Sequence, residues 1–205
     1  MIFARVWAGL EAEFGRESLC FPGEIIWLGG APGSGKGTNT PFIMDARGIT
    51  ADPVVISDLL DSPRAQRIKA AGNLVGNEEV IDLLLRKLLE PQYARGVIVD
   101  GFPRTTVQTE CLKLFYDKMV ALREEMRSLG RELPRPLFRT VLLFVDEEVS
   151  VRRQIERGEK AAENNLRVEE FGIGEAEEIR PTDLDPELAR NRYRLFKNTT
   201  YDALR

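Results

Sequence analysis

Apolar residues along this chain follow two alternating patterns, and the alternation predicts its architecture. Short, mainly apolar runs occur at Ile25-Ile26-Trp27-Leu28 and at residues 53–56, 96–102 (GVIVDGF) and 138–146 (FRTVLLFVD), and each reads as a buried strand. Between them, apolar residues recur every three or four positions. Val80, Leu83, Leu84 and Leu88 make one helix face, and Leu112, Phe115, Met119, Leu122, Met126 and Leu129 make one long amphipathic helix. Residues 38–48 (TNTPFIMDARG) read as a helix ending at Gly48, with Pro41 expected to remove one backbone donor and kink it. Residues 1–20 place Phe3, Val6, Trp7, Leu10 and Phe14 at helical spacing before Pro22-Gly23 breaks the run. That segment reads as a helix packed on the core, with a partner-binding helix as the alternative. Strand–helix alternation predicts an α/β fold: three layers, a parallel sheet with helices on both faces, and ligands at the carboxyl ends of the strands.

Composition narrows the class. With 205 residues and 43% hydrophobic content, one well-buried core with room for small insertions is expected. No apolar run approaches the roughly 18 residues of a membrane span, and Glu11, Glu13, Arg16 and Glu17 occupy the stretch where a signal peptide is apolar. A soluble, cytoplasmic protein with no membrane partner is the expectation. Cys20 and Cys111 are isolated and histidine is absent, which excludes a C-x-x-C zinc site and imidazole catalysis. A formal charge of −4 argues against a nucleic-acid binder with a broad basic face.

Two motifs carry the chemistry. Residues 30–36 fit G-x-x-x-x-G-K, a loop whose amides wrap nucleotide phosphates while the lysine reaches the terminal ones. Its donors are Gly33, Ser34, Gly35, Lys36, Gly37 and Thr38. Gly37 follows the lysine, so the hydroxyl arrives one residue late at Thr38. The string GAPGSGKGT resembles the phosphate loop of adenylate kinases and related nucleoside monophosphate kinases. DGFPRTTVQ, residues 100–108, is a second and independent match. Asp100 ends a strand beside the phosphate loop, where a carboxylate can hold the waters around Mg²⁺. Arg104 follows a rigid Phe-Pro turn that aims its fork at an anion. Gln108 offers amide donors and an acceptor suited to an adenine edge.

The resemblance to the adenylate kinase family extends from Glu24 to about Leu204. It implies a P-loop nucleotide-kinase fold and transfer of a phosphoryl group from Mg·ATP to AMP. Arg104 is then the acceptor-phosphate ligand, and Gln108 goes with AMP where UMP/CMP kinases have asparagine. Gly101, Leu74 and Val75 join the acceptor site, and Thr38 joins Asp100 at the metal. VRRQIERGEK is similar to the segment entering the family's lid and IRPTDLDPELARNRYRLFKNTTYDAL to the one leaving it, which assigns Arg157, Arg180 and Arg192 to the transferring phosphates. The implied organisation is an N-terminal helical extension at 1–22 and a kinase core at 23–205. That core contains a monophosphate-binding lobe at 55–85 and a lid at 158–179. A kinase for another monophosphate, or a nucleotide-binding regulatory module without turnover, stays open.

The chain also departs from the family. Where relatives read S-T-G-D-L-L-R, it has Val55-Ile56-Ser57-Asp58-Leu59-Leu60-Asp61, so a threonine and an arginine that hold AMP are replaced by Ile56 and Asp61. Few residues separate Asp61 from Gly72, which describes a reduced lobe, with Arg64 or Arg67 as substitute cations. The lid lacks cysteine and is rich in glutamate. The sequence after TTYDAL ends at Arg205, without the family's fifth strand and final helix. The expectation is a four-stranded sheet partly covered by the N-terminal helix or a neighbouring chain, with loose selectivity for the base of the triphosphate.

Overall fold

A computed structural model describes residues 1–70 and 74–204. Gly72, which bounds the lobe expected to be reduced, and Arg205 lie outside the described residues, as does the side chain of Arg64. Among the described residues four strands form one parallel sheet: β1 (Glu24–Gly30), β2 (Val54–Val55), β3 (Val97–Asp100) and β4 (Leu137–Leu143), in the order β2-β3-β1-β4. In register, Leu28 faces Asp100 and Gly30 faces Leu143. The turns that follow β1, β3 and β4 therefore open on the same rim, which is where the two motifs meet.

Side chains alternate across the sheet with period two. Ile25, Trp27, Val97 and Val99 point to one face, against α5 (Asn77–Leu88) and α6 (Thr106–Ser128). Ile26, Leu28 and Ile98 point to the other, against Ile43 and Met44 of α2 (Lys36–Arg47). Helix α2 is helical throughout, with Pro41 in its interior and Gly48 in the left-handed region as its cap. Helix α5 buries Val80, Ile81, Leu84, Leu85 and Leu88, and α6 buries Cys111, Phe115, Met119, Leu122 and Met126. Leu129 falls outside that stripe: it caps the helix and is exposed.

Helix α1 (Ile2–Phe14) is part of the core. Phe3 stacks on Trp7, Trp7 on Phe21, and Phe21 meets Phe115 edge-on at 4.9 Å. Burying side chains such as Leu10 and Trp7 contributes on the order of 2 kcal/mol each. Ion pairs Arg5–Glu78, Arg86–Glu13 and Arg16–Glu125 tie α1 and the turn after it to α5 and α6. Phe14, expected in the stripe, is exposed at the helix end with Arg86 over its ring. The helix thus covers α5 and α6 rather than the sheet margin. Leu137, Arg139 and Thr140 of β4 remain exposed, with Arg139 paired to Glu24 at 2.7 Å.

Beyond β4 the chain turns at Asp146 into α7 (Glu147–Phe171), so the strand stops at Leu143, short of residue 146. Helix α7 runs through most of the expected lid. The return segment lies along it, held where Asn164 Nδ2 donates to the Glu175 carbonyl and Asn165 Nδ2 to that of Glu177. A tight turn at Pro181–Asp183 leads to α8 (Pro186–Leu195), capped by Asp185. Shorter helices α3 (Ile56–Leu59) and α4 (Pro63–Ala70) follow β2, and a wide turn at Phe196–Tyr201 precedes α9 (Asp202–Leu204). Among the described residues no helix is long and apolar enough to cross a membrane.

Candidate active site

The loop after β1 is shaped by contacts that exclude side chains. A Cβ on Gly30 would stand 2.6 Å from the Leu143 carbonyl oxygen. Gly33 has φ +69°, and a Cβ there would stand 3.0 Å from the Ser150 carbonyl and 3.2 Å from the Arg153 Cβ. Gly35, with φ +85°, caps α2, whose free amides and dipole face the loop. Lys36 Nζ donates to the Gly30 carbonyl at 3.2 Å, folding back over the loop. Ser34 is buried, and among the described residues its hydroxyl has no hydrogen-bond partner. Gly37 and Thr38 are exposed on the first turn of α2, while Thr40 is buried and bonds the Lys36 carbonyl.

The cations expected from the sequence act on one another. Burial pushes Lys36 down to about 8, Arg104, Arg192 and Arg157 push it the same way, and Asp100 opposes them. Arg192 is lowered to about 10, by burial first and then by Arg180, Arg157 and Arg104 against Asp183. Burial lowers Arg104 as well, with Arg180 adding and Asp100 opposing. Burial raises Asp100, held back by Lys36, Arg104 and Arg180, while Asp58 raises it further. Lys36, Arg104, Arg157, Arg180 and Arg192 therefore share one electrostatic field in which cations outnumber carboxylates. Such a field fits a polyphosphate.

Three of the four arginines are oriented by the protein. Arg157 makes a two-pronged pair with Asp183, and Arg192 Nη1 lies 3.1 Å from Thr182 Oγ1 and 3.7 Å from Asp183 Oδ1. Asp183 is almost wholly buried. It reaches this position because Gly158 lets the 181–183 turn touch α7: a Cβ at Gly158 would stand 2.2 Å from the Asp183 carbonyl oxygen. Arg180, the least constrained, contacts Glu178 at 3.3 Å. Arg104 is folded onto Gly101, donating from Nε to the Gly101 carbonyl at 2.7 Å. A Cβ on Gly101, which has φ +87°, would stand 2.4 Å from Arg104 Nη2.

Gln108 is deep inside, 2% exposed, with both ends of its amide engaged. Its Oε1 accepts the Arg104 backbone N–H at 2.7 Å and its Nε2 donates to Asn77 Oδ1 at 3.1 Å. Thr105, the N-cap of α6, accepts the Gln108 N–H and donates to the same Asn77 oxygen at 2.8 Å. Leu74 is half-buried, and Val75 and Ile56 belong to the core, so the residue replacing the family's threonine packs inward. Asp61 is exposed.

Asn77, Thr105, Asp183, Arg153, Ser150 and Gln154 were not singled out by sequence. Thr105-Thr106-Val107-Gln108 did carry a signal, the S/T-x-x-Q spacing of a capping box. Arg153 reaches the Gly33 carbonyl at 3.2 Å, a contact with no local signature.

A family model described as an AAA domain matches residues 29–171. An adenylate kinase of Nitrosococcus oceani is 37% identical over 131 residues, 60% of this chain and 54% of that protein. An adenylate kinase of Lactobacillus acidophilus is 32% identical over 133 residues, with the same shares, 60% and 54%. The chain thus spans about half the length of the curated relatives it matches.

Proposed function

Because the chain belongs to the AAA-domain family through residues 29–171, with curated adenylate kinases among its relatives, we propose that it is a nucleoside monophosphate kinase. The reaction is phosphoryl transfer from Mg·ATP to AMP. The observation that carries this reading is the joint field of Lys36, Arg104, Arg157, Arg180 and Arg192 at the rim where the two motifs meet. Phosphoryl transfer needs charge neutralisation and alignment more than proton chemistry, so a site without histidine is sufficient.

In this reading Lys36, the Ser34 hydroxyl and the amides of Gly33, Gly35, Gly37 and Thr38 hold the donor phosphates. Arg104, beside Gly101, holds the acceptor phosphate. Gln108, with Leu74 and Val75 before it, shapes the acceptor side. Arg157, Arg180 and Arg192 neutralise the group in flight. The Asp100 carboxylate and the Thr38 hydroxyl are hard oxygen donors suited to Mg²⁺; burial raises Asp100, and Lys36, Arg104 and Arg180 counter that rise in part. Mg²⁺ held there would supply charge neutralisation for the transferring phosphates. Residues 158–179 close as the lid, residues 55–85 form a reduced acceptor lobe, and residues 1–22 brace the core. A cytoplasmic setting suits these substrates.

A coupled ADP-formation assay with AMP, CMP, UMP and GMP tests the reading. AMP is expected to be the best acceptor with a weak KM, because Ile56 and Asp61 remove two contacts that bind ground and transition states alike. Comparable rates with all four would sink the adenine assignment. A faster rate with another monophosphate would favour a kinase for that acceptor, the reading for which the departures at Ile56 and Asp61 speak, and nucleotide binding without turnover would favour the regulatory-module reading, against which the intact Lys36, Asp100 and Arg104 stand.

A further inference from the structure

Between the phosphate loop and the helices that carry Arg157 and Arg192 lies a buried polar joint that the transfer chemistry does not use. Ser150 and Gln154, one turn apart on α7, are both 0% exposed. Ser150 Oγ donates to the Pro32 carbonyl of the loop at 2.7 Å. Gln154 Nε2 shares its hydrogens among Ser150 Oγ at 3.2 Å, the Ser150 carbonyl at 3.3 Å and the Ala189 carbonyl of α8 at 3.4 Å. One amide therefore links the loop, α7 and α8. Arg157 comes three residues after Gln154, and Arg192 three residues after Ala189, so both cations sit one turn beyond the joint.

The joint is costly. Gln154 Oε1 is buried without a partner among the described residues, which an apolar side chain of equal length would avoid. Packing alone does not account for an amide here. We propose that Gln154 is a positioning residue that, through Ser150 and Ala189, holds Arg157 and Arg192 in register with the phosphate loop. Its kinetic consequence rests on the phosphoryl-transfer reading above; its effect on the loop does not.

Gln154→Met and Ser150→Ala separate positioning from bulk stability. Gln154→Met should leave the urea unfolding midpoint unchanged or higher. Its kcat should fall roughly ten- to a hundredfold, the size expected when reacting groups shift by about an ångström. KM for ATP should stay within about threefold, as for an interaction realised mainly in the transition state. The double variant should be no worse than the worse single one, because the two residues act as one link. In the ligand-free protein, hydrogen exchange of the Ala31 and Ser34 amides, bonded at 3.2 and 3.1 Å, should quicken in both variants. Wild-type kcat together with unchanged exchange would overturn the proposal, as would a kcat loss matched by lost stability with exchange unchanged. If the wild-type protein phosphorylates no monophosphate, the functional reading fails, and the exchange result alone decides: faster exchange supports the joint and unchanged exchange refutes it.

Discussion

Asp183 grips Arg157 with both carboxylate oxygens, at 2.8 Å to Nε and 2.7 Å to Nη2. The same carboxylate stands 3.7 Å from Arg192. One buried acid therefore orients two cations that would otherwise repel each other. Asp183→Asn keeps the shape and removes the charge. Because Arg157 is half in solvent, the expected loss of stability is modest, about 1–3 kcal/mol. Turnover should fall by roughly tenfold or more as the two guanidinium groups spread apart. Urea unfolding and steady-state kinetics check both, and a variant with wild-type turnover would remove Asp183 from the site.

Gly158 makes that grip possible, since any Cβ there meets the backbone of Asp183. Gly158→Ala should push the 181–183 turn off α7. The expected destabilisation is about 1–3 kcal/mol, the range for overpacking, although alanine is the better helix former. If unfolding measurements showed Gly158→Ala to be more stable than wild type, the close approach would be wrong.

Lys36 is held at about 8 against an ordinary 10.5, chiefly by burial. Below pH 8 both folded and unfolded chains carry the proton, and the folded chain bears the cost of the buried charge. Between 8 and 10.5 the unfolded chain binds a proton that the folded one does not, so stability rises with pH across that window. Lys36→Met should stabilise the ligand-free protein at pH 7 by on the order of 1–3 kcal/mol and flatten that rise. It should also abolish nucleotide binding. Unfolding midpoints at pH 7 and pH 10 with a calorimetric ATP titration decide, and a less stable variant at pH 7 contradicts the electrostatics.

Asn77 accepts hydrogen bonds from both Thr105 and Gln108 through one oxygen. Asn77→Ala leaves one buried donor, on Gln108, and one half-buried donor, on Thr105, short of a partner, costing about 1–3 kcal/mol. It should also raise the KM for the monophosphate more than that for ATP, because Gln108 supports the Arg104 backbone rather than the phosphate loop. Equal changes in the two KM values would detach this network from the acceptor side.

The placement of Lys36, Asp100 and Arg104 on one rim was legible because it follows from backbone geometry that a short glycine-bearing string enforces locally. The sheet was legible because each strand carries a short apolar stretch, unbroken at Ile25–Leu28 and Val97–Val99 and interrupted only by Arg139 and Thr140 in β4. Asp183 and Gln154 were not, since their burial depends on helices meeting across long sequence distances, and neither α7 nor α8 marks its partner. The reach of β4 was overread because Phe144 and Val145 extend its apolar run past the point where Asp146 starts α7. Periodicity identified α1 as a helix, yet its seat on α5 and α6 depends on pairs such as Arg16–Glu125, separated by more than a hundred residues.

That seat gives the protein an optical signature. Its two tryptophans are Trp7 on α1 and Trp27 on β1, 3% and 1% exposed, and both belong to the same aromatic-rich cluster. Intrinsic emission from the folded chain is therefore that of shielded indoles. Lifting α1 away while the sheet stays intact would wet Trp7 first and shift the emission to longer wavelength ahead of any loss of strand signal, so the docking of the first helix can be followed without a label.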